Sequence, residues 1–340
     1  TTISEHVIGI VPPFNIRWGN TQVINTWPAA NVRVLSEGGD RLQAIAPLGV
    51  QAGVIYKTRS IWNVVVTGSG TESEYFRFEH RGSIEGPASP AAVVSVDEAA
   101  HLYMTPQGRV GYYNGVRHMW VGDGVWPLVA SEIDADNMNL AFGAFDPSYR
   151  IAVFVYPRTA DATGDLTGWA IVMLPNSKEG YSDWISFHGR SSVSLSAGGT
   201  VRFGDQSALL AGASTSRVYT WGGQSPAADD DGTAITGHWQ TGMVATPGLE
   251  FFTLEAYETM ALRGAGYGSL TVKPVTSYIL NTEGGTVAAS KTVDLTESTV
   301  LGSSKGGDLK GRFFGLRFEF TTPITLRWLG ARLSAILRKG

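Results

Sequence analysis

The sequence predicts an all-β protein: a degenerate β-propeller followed by a C-terminal antiparallel β-sandwich. Three observations carry that expectation. Helical periodicity is nearly absent, while short β-branched or aromatic runs bounded by Gly, Pro, Asn or Asp recur along the chain. Similar strand–turn–strand units return at a coarse period, as blades of a propeller do. Gly makes up 42 of 340 residues and charged residues only 16%, against about 7% Gly and about 25% charge in an average soluble domain.

The elements follow in chain order. Runs at 54–56, 61–66, 91–96 and 151–156 read as strands. They belong to units at 44–68, 91–115, 140–157 continuing into 168–175, and 192–221. Ile55, Leu102, Val153 and Leu209 mark equivalent points, spaced 47, 51 and 56 residues apart. A period of about 40–50 residues with about four strands per unit fits propeller blades; a Greek-key sandwich is the alternative for this spacing. Asp146–Pro147, Pro106–Gln107–Gly108 and Asn114–Gly115 are turns, with preset or left-handed φ. The segment 131–140 (SEIDADNMNL) is the one helix expected, with Ser131 as its cap. No WD dipeptide or kelch double Gly recurs, and 177–184 (SKEGYSDW) misses the spacing of a sialidase Asp box.

The linker is placed at about 223–233 (GQSPAADDDGT), so that residues 1–228 form the propeller-like domain and 234–340 the sandwich. In the second domain strands are expected near 235–240, 251–257, 270–274, 286–295, 312–320 and 324–336. Within GRFFGLRFEF, Phe314, Leu316, Phe318 and Phe320 share one face, and Arg312 and Arg317 lie outside it or at a rim. The run 264–268 (GAGYG) reads as a hairpin tip.

Composition excludes several classes. Apolar content of 43% rules out disorder. Without Cys there is no disulfide framework, thiolate metal site or Cys nucleophile. No apolar run approaches the ~20 residues of a membrane span, and TTISEHVIGIV lacks the basic start and apolar length of a signal peptide; folding in the cytoplasm is the expectation. The net charge of −4 hides an asymmetry: residues 301–340 carry +6 and residues 1–300 carry −10. Low charge at neutral mean hydropathy suits a surface covered in an assembly. Candidate assembly residues are Arg312, Arg317, Arg327, Arg332, Arg338 and Lys339.

Catalytic constellations are sparse. The six His show no i, i+2 or i, i+4 pair, and neither HExxH nor GxxxxGK[ST] occurs. Asp229, Asp230 and Asp231 before Gly232 form a weak Ca²⁺ candidate, since a Ca²⁺ loop alternates its acids and here they are contiguous. Glu72/Glu74 and Asp134/Asp136 are carboxylate pairs in a turn and a helix start, where solvation is the default. The ten Trp, about one per unit, read as core filling rather than sugar platforms.

The strings 41–68 (with Lys57–Thr58–Arg59–Ser60–Ile61–Trp62), 102–115 (LYMTPQGRVGYYNG), 141–157 (AFGAFDPSYRIAVFVYP), 229–242 (DDDGTAITGHWQTG) and 311–337 occur in an order that resembles the tail hub or nozzle proteins of short-tailed bacteriophages, also described as packaged-DNA stabilisation proteins. The resemblance implies a non-enzymatic virion protein without a cofactor, assembled in the bacterial cytoplasm. It implies a ring, commonly of six copies, below the portal or head–tail adaptor, around the DNA exit channel and supporting fibres or spikes, with genomic dsDNA passing unread and no membrane. An acidic propeller would let DNA slide, and the basic sandwich would pack on an acidic neighbour. The alternatives from the residues are a glycan-binding or glycan-cleaving propeller, separable by whether acids, His or Arg converge on one cavity, and a fibre or baseplate adaptor of the same virion.

Overall fold

The computed structural model describes residues 1–221 apart from 69, 163, 176–182, 192, 204–205 and 214–216, and beyond them the strands between 229 and 336 named below. The chain divides into two compact units, Thr1–Gly222 and Gly223–Gly340. It is mostly β, built of several four-stranded antiparallel sheets with few helices.

The first unit is a succession of five antiparallel sheets, each meandering through consecutive strands. Sheet I holds Thr2–Ile3, His6–Val11, Asn15–Trp18 and Val32–Val34. Sheet II holds Leu42–Pro47, Ala52–Lys57, Ile61–Val66 and Phe76–Gly82. Sheet III holds Val93–Val96, Ala100–Met104, Val110–Tyr113 and His118–Val121. Sheet IV holds Phe142–Asp146, Ile151–Pro157, Leu166–Met173 and Ile185–Arg190. Sheet V holds Leu195–Phe203, Gln206–Ala213 and Val218–Trp221. Ile55, Leu102, Val153 and Leu209 all fall on the second strand of their sheets. Sheet I is an additional unit ahead of the four read from sequence; Ile8, on its second strand, stands 47 residues before Ile55.

Successive sheets pack face to face. Ile8, Ile16 and Trp18 of sheet I meet Ile55, Trp62 and Val64 of sheet II. Val54, Tyr56 and Ile61, on the opposite face of sheet II, meet Tyr103 and Tyr113 of sheet III. Val94, Leu102 and Val110 meet Ala152, Phe154 and Val172 of sheet IV, whose other face sets Val153 and Val155 against Leu209 and Ala211 of sheet V. This explains the unbroken apolar runs. A strand buried on both faces needs apolar residues at every position, so period-2 alternation disappears. The first strands of sheets II to V run beside one another, Leu42–Pro47 next to Val93–Val96, then Phe142–Asp146, then Leu195–Phe203.

Turn chemistry follows the sequence. Gly108 and Gly115 take φ of +78° and +86°, values that only Gly adopts without strain. The Asp146 carboxylate accepts from the Ser148 N–H at 2.8 Å, closing the hairpin as an Asx turn. The helix departs from expectation. An α-helix spans Trp126–Glu132 and a 3₁₀ turn spans Ala135–Leu140. Pro127 supplies the preset φ that starts the helix earlier. Ser131 therefore lies in its last turn, donating to the Leu128 carbonyl at 2.7 Å, and Asp134 caps the 3₁₀ turn by accepting from the Asp136 N–H.

Among its described residues the second unit has two antiparallel sheets and a short hairpin, Asp229–Asp230 against Thr233–Ala234. One sheet is centred on Phe313–Phe320, flanked by Ser269–Ser277 on one edge and by Gly237–Gln240 and Val244–Ala245 on the other. Thr286–Val287 and Lys291–Asp294 extend it beyond Ser269–Ser277. Pro274 stands in the gap between these two short partners, a place that tolerates a residue without an N–H. Phe314 and Leu316 are buried, on the face the alternation assigned to them. The other sheet pairs Phe252–Gly266 with Ile324–Ile336 along almost their full length and adds Ser303–Lys305 and Lys310–Gly311. Gly264 and Gly266 are paired with Leu326 and Ile324, so residues 264–266 end a strand, and 267–268 lie outside the described residues. The chain switches there from one sheet to the other, because Ser269–Ser277 pairs with Phe313–Phe320.

Candidate functional site

Among the described residues of the first unit, three polar clusters each join a connection or a sheet to its neighbour. The largest surrounds Glu132, at the end of the helix that links sheets III and IV. Its Oε1 accepts from the Tyr156 hydroxyl and from His188 Nε2, both at 2.8 Å. Its Oε2 accepts from Arg158 Nε at 3.2 Å and Arg190 Nε at 2.9 Å. All four donors come from sheet IV or the residue just beyond its second strand. Arg158 also reaches Asp161 at 3.3 Å and Thr167 Oγ1 at 3.2 Å. Burial alone raises the Glu132 pKa, but the hydrogen bonds from His188, Tyr156 and Arg190 and the His188 charge outweigh it and hold the carboxyl at about 2. Burial and the adjacent carboxylate push the Tyr156 hydroxyl far above its ordinary value. A carboxylate with two donors on each oxygen and so low a pKa is a poor general base near neutrality. The arrangement clamps the helix to the sheet.

The second cluster ties the connection after sheet I to sheet II. Lys57 is fully buried. Its Nζ donates to the Leu35 carbonyl at 2.9 Å and the Glu37 carbonyl at 3.4 Å, with Asp40 Oδ2 4.0 Å away. Asp40 in turn accepts from Thr58 Oγ1, the Arg59 N–H and Ser60 Oγ, and Ser60 receives Trp62 Nε1–H at 3.1 Å. The string 57–62 is therefore the hairpin between two strands of sheet II, its turn residues Thr58, Arg59 and Ser60 folded around one carboxylate. The third cluster joins sheet I to the turn before Phe76–Gly82. Both ring nitrogens of the buried His6 face oxygen acceptors, Nδ1 the Ser4 carbonyl and Nε2 the Glu72 carboxylate, each at 2.8 Å. Thr21 Oγ1 donates to Glu72 as well, at 3.0 Å. Burial works to raise the Glu72 pKa, and the bonds from His6 and Thr21 lower it overall.

A buried Tyr–His pair lies between sheets II and III. His101 Nε2 donates to the Pro47 carbonyl at 2.8 Å, so Nδ1 accepts from the Tyr56 hydroxyl at 2.9 Å. Burial depresses the His101 pKa and raises that of Tyr56. Near the outer strand of sheet III, the Arg109 guanidinium packs over the rings of Trp120 and Trp126, 4.5 and 5.0 Å from their centroids, and pairs with Asp123 at 3.2 Å.

Several candidates from sequence find their places here. Glu72 lies in a 3₁₀ turn with Glu74, and its bonds go to His6 and Thr21 rather than to a second carboxylate. Asp134 serves as a cap. Trp18 and Trp62 are buried between sheets, whereas Trp120 and Trp126 cover Arg109 and Trp27 is exposed. Asp229 and Asp230 stand opposite Ala234 and Thr233; Asp231 lies outside the described residues. Arg317 stands between Gln240 and Lys273 in its sheet, beside the Lys273–Glu319 ion pair at 2.5 Å. Arg327 and Arg332 stand opposite Arg263 and Glu258. Arg312, Arg338 and Lys339 lie outside the described residues. No signal in the sequence pointed to the Glu132 cluster, whose members are up to 58 residues apart.

Among the described residues no three His, Asp or Glu side chains are grouped to hold a metal ion, and no helix is long and apolar enough to cross a membrane. No protein-family model matches the sequence, and comparison with curated proteins finds no match.

Proposed function

We propose that this chain is a non-enzymatic structural protein of a bacteriophage tail, one copy of a hub or nozzle ring around the DNA exit channel. In this reading the first unit is a degenerate β-propeller scaffold whose five blades form an open arc, sheets I and V not closing on each other within one chain, and the second an antiparallel sandwich. One observation supports it above the others: the ionisable clusters at Glu132, Lys57–Asp40 and His6–Glu72 are each spent on holding a connection or a neighbouring sheet. Such clamps stiffen a stack of sheets against shear, as a load-bearing ring needs. The approach of the first strands of sheets II to V, with the later strands carried outward, suits a propeller's radial blades. The low charge suits subunits that cover one another, and the basic stretch at 301–340 suits contact with the acidic remainder of an adjacent copy.

Mass photometry and negative-stain microscopy of the purified full chain test this. The expected result is a closed ring, six copies by the family resemblance. A monodisperse monomer at high concentration, or specific binding on a glycan array, overturns it.

A further inference from the structure

Among the described residues of the first unit, five stacked sheets make four face-to-face contacts and leave two faces without a partner sheet of that unit, one on sheet I and one on sheet V. On sheet I the outward rows run Val11–Asn15–Val34 and Gly9–Arg17–Val32. Trp27 lies across Gly9, within 3.3 Å of where a Cβ would stand, in a loop whose Trp27 and Pro28 carbonyls accept from Arg17. Val34 is 53% exposed and Trp27 37%. On sheet V the outward row Ala197–Gly212–Val218 adjoins Gly199, above which the space is open, and Val218 is 69% exposed. Among the described residues neither face carries a carboxylate.

We propose that these two faces meet between copies of this chain, sheet I of one on sheet V of the next. The inference rests on the ring reading above and names its interface. The occupant follows from continuity: each internal sheet–sheet contact sets one apolar face on another, and a second copy offers the missing face at either end of the stack. The two faces also differ in relief. Sheet I presents a raised Trp, a residue type enriched among interface anchors, and sheet V presents an apolar face of Ala197, Val201 and Val218 with open space above Gly199 that leaves room for it. Unlike faces give a heterologous contact, which propagates around a ring or along a filament.

The test uses the full chain carrying Val34→Asp or Val218→Asp. Each places an unpaired carboxylate in the contact and is expected to weaken association by about 100-fold or more, leaving a monomer with unchanged circular dichroism. An equimolar mixture of the two variants retains one intact face of each kind, so it is expected to form a heterodimer and nothing larger. A Val34→Cys/Val218→Cys chain, otherwise free of Cys, treated with a bismaleimide is expected to give a ladder of multimers. An unchanged ring in both Asp variants overturns this interface while leaving the ring reading intact. A cross-link confined within single chains overturns it too, since the two faces would then close on each other. A wild-type monomer overturns both readings.

Discussion

Lys57 and Glu132 each hold together one polar cluster of the first unit. A fully buried ammonium survives only where oxygens replace its hydration shell, and Lys57 finds the Leu35 and Glu37 carbonyls with Asp40 nearby. Lys57→Met removes the donor and leaves those carbonyls and Asp40 short of it, an expected loss of about 3 kcal/mol in urea unfolding. Glu132 makes a pH-dependent contribution of definite sign. Its carboxyl lies at about 2 in the folded chain against an ordinary 4.5. The unfolded state therefore binds the proton first on acidification, and the stabilisation, full above the ordinary value, is lost as pH falls from there toward 2. Glu132→Gln is expected to lower stability by about 2 kcal/mol at neutral pH, with the gap to wild type closing in that acid window. Denaturant titrations across pH read both. His101 acts in the same direction at higher pH: burial depresses its pKa, so acidification through the ordinary His range favours the unfolded chain.

Among the elements, the sheets share a device that accounts for part of the Gly content. Tyr103 stands opposite Gly111, Phe154 opposite Gly143, Tyr156 opposite Gly168 and Trp169 opposite Gly189. In each pair the aromatic ring lies over its Gly, and a Cβ added there would come within 2.0–2.5 Å of a neighbouring side chain. An aromatic ring covering a cross-strand Gly protects the backbone and fills the space a side chain would take. Gly111→Ala and Gly168→Ala are each expected to cost about 1–3 kcal/mol by overpacking, lowering Tm by roughly 2–12 °C for a unit of this size. Gly86→Ala should be worse. Its Cβ would stand 1.9 Å from the Lys57 carbonyl oxygen, and backbone cannot swing aside as a ring can. Loss of the cooperative melt by circular dichroism is the expected outcome.

For the whole molecule, the division at Gly222 predicts that residues 1–222 fold alone, because the four intersheet cores lie entirely within them. A single cooperative transition in the isolated segment checks this; a molten, dye-binding product would contradict it. The chain's local order was legible beforehand: strands, turns and the spacing of equivalent second-strand positions all rest on near-neighbour chemistry, such as β-branched runs, Asn-Gly and Pro-Gln-Gly turns. Even the helix was missed by only a few residues, because Asp134 competes with Ser131 as a cap and Pro127 sets the start. The polar clusters were not legible. Glu132 meets His188 and Arg190 only because sheet IV folds back beside the helix that precedes it, and His6 meets Glu72 only because sheet I packs on sheet II. Sequence alone settled the β class and the cadence of the units, since backbone preference and side-chain period act within a few residues. Tertiary structure decided which charges of the first unit are neutralised and which sheet faces pack on one another, since desolvation and pairing depend on what lies across space and carry no fixed spacing along the chain.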